Sequence, residues 1–408
     1  MNTQNFPQAM VIGAGPAGSY TALHLAKQGI KTRVFEEHSQ IGLPVHCAGH
    51  ISIRSLKTLG LYPLHGIIEN IFCAANFYSP HGTKFTLQLN CPVTTVLNRA
   101  HFDQYLAEQA QTAGAEFILN SRVQSLLMQN GTVTGIKVEG SNGAEMRLRS
   151  SIVVDAEGVS SRLLRQTGLV PLKPSGIVYA VEAEMDNIQN VEKHAVEVYF
   201  GRGYAPGFYG WVIPRPDGTA KVGLAVDKGD PRMYLKRLMT KHPVASKQLS
   251  KAKIISTGYH AISLGGPIPQ VCSNGFLAVG DCASQVKPTT GGGVIFGLTA
   301  AKEAAKVVNQ ALERGDVSAE ALQPYQKRCN ELFGFDFKTM LRLRRFLDSL
   351  SDEKIDEMLR VCSKLGVDGA LRGVTEIDFQ GKMLLNVATK PAMIATLVYF
   401  GLLYLNQG

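Results

Sequence analysis

A short apolar run, Ala9-Met10-Val11-Ile12, leads directly into Gly13-Ala14-Gly15-Pro16-Ala17-Gly18, and helical spacing follows through Tyr20, Leu23 and Ala26 until Gly29 stops it. Few arrangements narrow a fold more. Such a run suits a strand buried in a parallel sheet. The glycines allow a tight turn, close approach of a pyrophosphate and close helix packing, and the helix start then faces the phosphates. A second strand, Lys31 to Phe35, delivers Glu36 twenty-three residues after Gly13. A carboxylate there accepts from both ribose hydroxyls and repels a 2′-phosphate, so the bound dinucleotide is FAD or NAD, not NADP. A glycine-rich chain yields GxGxxG by chance; the strand, helix and acidic end in order distinguish this one.

A second block decides between the two. Phe276 to Val279 reads as a strand ending in Gly280-Asp281, and Pro288-Thr289-Thr290-Gly291-Gly292-Gly293-Val294 opens a long helix from Gly292 to Leu312. Asp281 can accept from a ribityl hydroxyl. The backbone N–H groups of Gly292, Gly293 and Val294 can approach a flavin pyrimidine, where the positive helix end favours the charge of the reduced ring. Two stretches far apart in the chain thus serve one FAD. The competing reading is a glycine-rich loop that only turns the chain.

At 408 residues, 45% of them hydrophobic, the chain can hold two or three structural units. The net charge of +9 points to anionic partners: phosphate-bearing cofactors, an anionic lipid headgroup or a membrane surface. A merely basic soluble protein is the alternative. The seven cysteines form no CxxC pair and no zinc spacing, so no metal is expected. Residues 1–8 lack a basic segment, so no secretory signal is expected and the location reads as reducing cytoplasm. Ala392 to Leu405 is mostly apolar, yet as a helix it reaches only about 21 Å, short of a ~30 Å hydrocarbon core. It either packs on the body or lies in a membrane interface, which would place the protein peripherally at the inner face of the cell membrane. Lys338, Arg342, Arg344 and Arg345 could then face headgroups; a solvated basic face is the plainer reading.

The fold class expected is α/β. A Rossmann-like FAD-binding domain with a three-stranded β-meander comprises residues 1–70, 99–170 and 271–315. An antiparallel-sheet substrate domain comprises 71–98 and 171–270, and 316–408 forms a helical C-terminal cap. Phe72 to Ser79 and Lys84 to Leu89 read as a hairpin, and Arg99 to Ala113 as a helix with Phe102, Leu106 and Ala110 on one face. Asn130-Gly131 and Asn142-Gly143 turn the meander, which ends in Ile152-Val153-Val154-Asp155; Asp217-Gly218 turns a strand pair.

The arrangement resembles the FAD fold of the p-hydroxybenzoate hydroxylase and glutathione reductase type. Asp155-Ala156-Glu157-Gly158-x-x-Ser161-Arg162 stands where that group carries an Asp-Gly segment, with Glu157 in place of the usual Asp. The likeness implies that Arg99 turns toward the flavin and that the strand at Val123 borders adenine through its backbone. Pro206-Gly207-Phe208-Tyr209-Gly210-Trp211-Val212-Ile213-Pro214 resembles the Pro-x-x-Tyr-x-Trp-x-Phe-Pro signature of the geranylgeranyl reductase family, with Ile213 for Phe. Val45-His46-Cys47-Ala48-Gly49-His50-Ile51-Ser52 is similar to that family's Cys-Ala/Gly-Gly-x-x-Ser loop. The likeness runs from about residue 9 to 315, and archaeal-type digeranylgeranylglycerophospholipid reductases are the nearest group.

That resemblance implies saturation of isolated C=C bonds in a geranylgeranyl-type lipid, with hydride from reduced flavin N5 and a proton from the protein. Cys47 and Ala48 belong to a loop that reaches the flavin, where Cys47 could give the proton and His46 relay it; a small buried cysteine and an outward histidine are the bland readings. Tyr209 and Trp211 share a strand face and could line an isoprenoid tunnel, or be ordinary sheet aromatics. No second dinucleotide fingerprint is visible, so NADPH, NADH or a ferredoxin donates the electrons; no nucleic acid partner is expected. Two rivals stand. One is a flavin-dependent monooxygenase or halogenase, since Tyr209 to Pro214 differs from a Trp-x-Trp-x-Ile-Pro motif by one residue. The other is a non-catalytic isoprenoid-binding protein, against which Glu36, Asp281 and the glycine blocks argue.

Overall fold

All four residues of Ala9–Ile12 are buried because parallel strands flank them on both sides: Ala9 pairs with Ile152 and with Thr32. The sheet runs Cys272–Ser273, Phe276–Ala278, Ile152–Asp155, Ala9–Ile12, Thr32–Phe35, Glu116–Ile118, and only its Cys272–Ser273 edge is antiparallel. A second sheet of Arg122–Gln129, Thr132–Glu139 and Glu145–Arg149 is wholly antiparallel. This computed structural model describes residues 7–140 and 143–405, so Asn142 of the expected second turn lies outside them, whereas Asn130 and Gly131 do turn with positive φ. With the helices Pro16–Lys27, Arg99–Thr112 and Val294–Arg314, these sheets make up one unit: Met1–Val45, Arg99–Gly176 and Ser263–Phe335.

His46–Asn98, Ile177–Ile262 and Asp336–Gly408 make up the other. Its boundaries differ from those read in the sequence: residues 171–176, 263–270 and 316–335 fall in the first unit, and two longer stretches join this one. Residues 46–70 join it because His50–Ser52 and Ile68–Phe72 both pair with Thr94–Leu97. From Asp336 on, the C-terminal helices join it instead of standing apart, because Phe346, Leu350, Met358 and Leu359 pack with Phe85 of the hairpin Ala74–Tyr78/Lys84–Gln88.

The core of this unit is a seven-stranded sheet ordered Lys253–Ser263, Ile177–Asp186, Ala220–Val226, Gly210–Pro214, Ala195–Tyr199, Ala74–Tyr78, Lys84–Gln88. One face presents Val181, Ala183, Val212, Val222 and Leu224 to Leu235, Leu238, Ala245 and Leu249 of the helices Pro231–Lys241 and Ala245–Leu249. Reading 171–270 as antiparallel sheet misses both helices. The start signal was present: Asp230 accepts the Arg232 N–H at 2.9 Å, and Pro231 opens the helix.

Two histidines make stability depend on acidity. His242 is buried, with Nε2 3.0 Å from the Ser79 carbonyl and Nδ1 accepting the N–H groups of Val244 and Ala245, each at 3.2 Å. Burial lowers its pKa to about 4, and burial followed by Lys302, Lys27 and Lys306 lowers that of His24 to about 4. Unfolded, both titrate near 6.5. Between those values the unfolded chain holds more protons, so stability is full above about 6.5 and falls as pH drops toward 4, by up to ~1.4 kcal/mol per group per pH unit. The expected result is a lower melting temperature at pH 5 than at pH 7.5, and a flatter profile for His242→Asn; identical melts at both pH values count against it.

Candidate active site

In the first unit the three motif glycines have three different surroundings. Gly13 has φ +88°, and a Cβ there would lie 2.5 Å from the Ala156 carbonyl oxygen. A Cβ at Gly18 would collide with the Gly13 carbonyl. At Gly15 nothing lies within 4 Å of that position. Turn and packing thus account for two of them, and the third is left facing open space. No side chain caps the helix that begins at Pro16, and its first turn has no acid, so its N-terminal field is free for an anion. Glu36, almost wholly buried, accepts the Ala14 N–H through Oε2 at 2.8 Å and meets His38 Nδ1 through Oε1 at 2.6 Å. These features fit a dinucleotide: a phosphate seat at Gly15 and a carboxylate at the strand end.

Ala17 joins the two sequence blocks. A Cβ at Gly280 would lie 2.9 Å from the Ala17 methyl, and one at Gly297 3.4 Å from it. The Pro16–Lys27 and Val294–Arg314 helices therefore meet at small residues, and Gly280-Asp281 is drawn beside the first motif. Asp281 Oδ1 sits 2.7 Å from where a Gly293 Cβ would be, so the carboxylate borders the glycine loop. Lys287 accepts the Gly291 N–H on its carbonyl and lays its side chain along Gly292, where a Cβ would lie 2.7 Å from Cε. Burial pushes the Asp281 carboxyl up and the Arg99 guanidinium pulls it back. Arg99 itself forks onto Asp103, one turn along, at 3.0–3.1 Å. The Val123 side chain is buried in the core, and its carbonyl is taken by Arg162 at 2.6 Å. Val294 begins its helix two residues later than read.

In the second unit, cross-strand register puts Trp211 opposite Gly223 and Gly223 opposite Glu182. The indole lies over Gly223, whose Cβ would be 2.5 Å from Cζ2, and its Nε1 donates to Glu182 at 3.2 Å. Rings continue along the same face: Tyr209 lies 6.2 Å from Trp211 and 6.3 Å from Phe200, and Phe200 stacks on Phe77 at 6.3 Å. Tyr209 precedes its strand, which starts at Gly210, and stacks on Phe208 at 4.1 Å. Burial pushes its hydroxyl pKa up, with Arg344 opposing, so it stays protonated. Arg344 is therefore not part of an outward basic face; it lies 5.1 Å over Phe208 and bonds Asp348. Alanine at Gly223 should tilt the sole tryptophan off Glu182 and cost about 1–3 kcal/mol. A shifted Trp emission maximum checks this; an unchanged spectrum and melt would count against it.

Cys47 is half-buried, and the Gly49 N–H points at its Sγ at 3.5 Å. Its neighbour Ala48 is held by Lys221, whose Nζ donates to the Ala48 carbonyl at 3.0 Å. Lys221 lies two residues before Gly223, on the Trp211 face. The structure thus brings the Cys47 loop and the aromatic row together through a lysine absent from the sequence reading. Only its charge amid Ala220–Val226, otherwise free of polar side chains, hinted at it. His46 is exposed, with His260 6.4 Å away ring to ring.

Residues 7–333 match the family model of the FAD binding domain. The chain is 32% identical to digeranylgeranylglycerophospholipid reductase 2 of Methanopyrus kandleri over 391 residues, 94% of this chain and 97% of that one. The chain belongs to the digeranylgeranylglycerophospholipid reductase family. A geranylgeranyl bacteriochlorophyll reductase-like protein of Thermoplasma acidophilum superposes on it with a TM-score of 0.85 at 28% identity, covering 94% of this chain and 96% of that one. A flavin-dependent brominase superposes less closely, with a TM-score of 0.69 at 19% identity, over 84% of this chain and 87% of that one. That likeness is one of fold alone.

Proposed function

We propose that this protein is an FAD-dependent reductase that saturates C=C bonds of geranylgeranyl-type chains carried on a phospholipid or diphosphate, in membrane-lipid synthesis. The carrying observation is the meeting of Ala17 with Gly280 and Gly297, which assembles one FAD seat from both ends of the chain. The first unit is read as a Rossmann-like FAD domain whose three-stranded antiparallel sheet is the meander. The second supplies the substrate face, with the C-terminal helices as its cap.

Gly13, Gly15, Ala17, Gly18 and Glu36 would hold the pyrophosphate and ribose; Asp281, Gly292, Gly293 and Val294 the ribityl chain and pyrimidine; Arg99 and the Val123 backbone the flavin and adenine borders. Bound and reduced, FAD supplies the hydride from N5. Cys47 Sγ gives the proton, and the Gly49 N–H steadies the sulfur that has lost it. Trp211 and Tyr209 hold the isoprenoid and keep water out. His46, exposed, returns a proton from solvent.

The electron donor is NADPH, NADH or a ferredoxin. Membrane contact is read at the C-terminus, where Met393 packs inward while Leu385, Ile394, Leu397 and Val398 are exposed. No single helix among the described residues is long and apolar enough to cross a membrane. Our reading is a cytoplasmic protein, peripheral at the inner face, with exposed Lys338, Arg342 and Arg345 toward anionic headgroups. The test is anaerobic incubation of the reduced holoenzyme with a digeranylgeranyl phospholipid. A mass gain of H2 per bond is expected; turnover only with oxygen and an aromatic substrate would favour the monooxygenase rival.

A further inference from the structure

We propose that Lys221 is a positioning residue for the Cys47 loop, acting through the backbone carbonyl of Ala48 and not on the lipid. Lys221 is buried, and its Nζ has three acceptors: Ala48 O at 3.0 Å, Leu97 O at 3.1 Å and Glu69 Oε2 at 3.2 Å. An ammonium has three N–H donors, so none remains for a lipid phosphate. The three acceptors belong to three separate segments: the Cys47 loop, the end of Thr94–Leu97 and the strand Ile68–Phe72. One nitrogen therefore fixes the loop against both sheets of its unit.

The charge is balanced locally. Glu69 Oε2 also accepts Arg215 Nε at 3.1 Å, and Arg215 pairs with Glu184, so two cations and two carboxylates close a small network. A buried ion network of this kind is a poor source of stability compared with well-packed apolar side chains. Its geometric effect is clearer, since it places Ala48, and with it the adjoining Cys47, over the Trp211 face. A methionine at 221 would fill similar volume and leave the loop untied.

The catalytic consequence rests on the proposed role of Cys47; the tether itself does not. The experiment therefore reads both. Lys221→Met combined with Glu69→Gln removes the ion pair together, avoiding an uncompensated buried carboxylate. Alkylation of the folded holoenzyme by iodoacetamide is followed by peptide mass spectrometry, with exposed Cys91 as internal control. The Cys47-to-Cys91 rate ratio should rise at least fivefold, and kcat for alkene reduction should fall at least tenfold while KM stays within threefold. A merely structural lysine would leave the ratio unchanged, and that result overturns the proposal. A raised ratio in the double variant, with a separate Cys47→Ala variant that turns over normally, upholds the tether while removing Cys47 from the chemistry. If the double variant does not fold, Lys221→Arg carries the same readout, because a planar fork cannot serve the same three converging acceptors.

Discussion

Valine at position 15 should leave the apoprotein as stable as the parent and abolish FAD binding. Gly15 has φ −67° and ψ −179°, extended backbone that any residue adopts, and nothing lies within 4 Å of its Cβ position. A branched side chain therefore enters without strain or overlap in the apoprotein, and fills the space where the pyrophosphate would lie against the helix start. The expected loss of affinity is at least a hundredfold, with the melting temperature of the apoprotein within about 2 °C of the parent. Gly18→Val is the contrasting control, because its collision is with the Gly13 carbonyl, inside the fold. It should lower the melting temperature as well. Titration followed by absorbance near about 450 nm measures both variants. A Gly15→Val protein that purifies yellow would remove the phosphate seat from Gly15.

Cys47→Ala or Cys47→Ser should keep FAD bound and slow alkene reduction at least tenfold. General acid groups typically contribute 10²–10⁴ to a rate, and water reaching the loop could restore part of it, so tenfold is the floor. Serine does not rescue, because a hydroxyl gives up its proton far less readily than a thiol. Cys282 shows what an inert cysteine looks like in the same chain: fully buried, donating to the Asp155 and Val279 carbonyls, with burial pushing its thiol pKa up. Cys47 has the opposite setting, half-buried with an N–H directed at sulfur. Anaerobic single-turnover reoxidation of the pre-reduced variant measures the step, and parental rates would remove Cys47 from the mechanism.

The cofactor half of the site was readable because its determinants are local. Each motif glycine stands at a turn or helix start specified within six residues, and Glu36 follows one strand later. That Ala17 meets Gly280 could be guessed only from chemistry, since nothing in either segment's spacing names the other. The substrate half was harder. Tyr209 and Trp211 alternate visibly, but that Trp211 spans Gly223 to reach Glu182 is a matter of register between three strands, which side-chain periodicity does not carry. Lys221 was missed for the same reason: its partners lie about 125 and 170 positions upstream. The helices Pro231–Lys241 and Ala245–Leu249 were obscured by short length and the strands around them, although Asp230-Pro231 marked the first. The C-terminal helices read correctly as helices; only packing against Phe85 shows which unit they complete.

The crossing of Ala17 with Gly280 and Gly297 also sets a timetable for synthesis. The Ala9–Ile12 strand and Pro16–Lys27 helix are made about 260–280 residues before the two glycines that Ala17 meets. Nascent chains arrested before those glycines should emerge unable to retain the coenzyme, however much of it the cell contains.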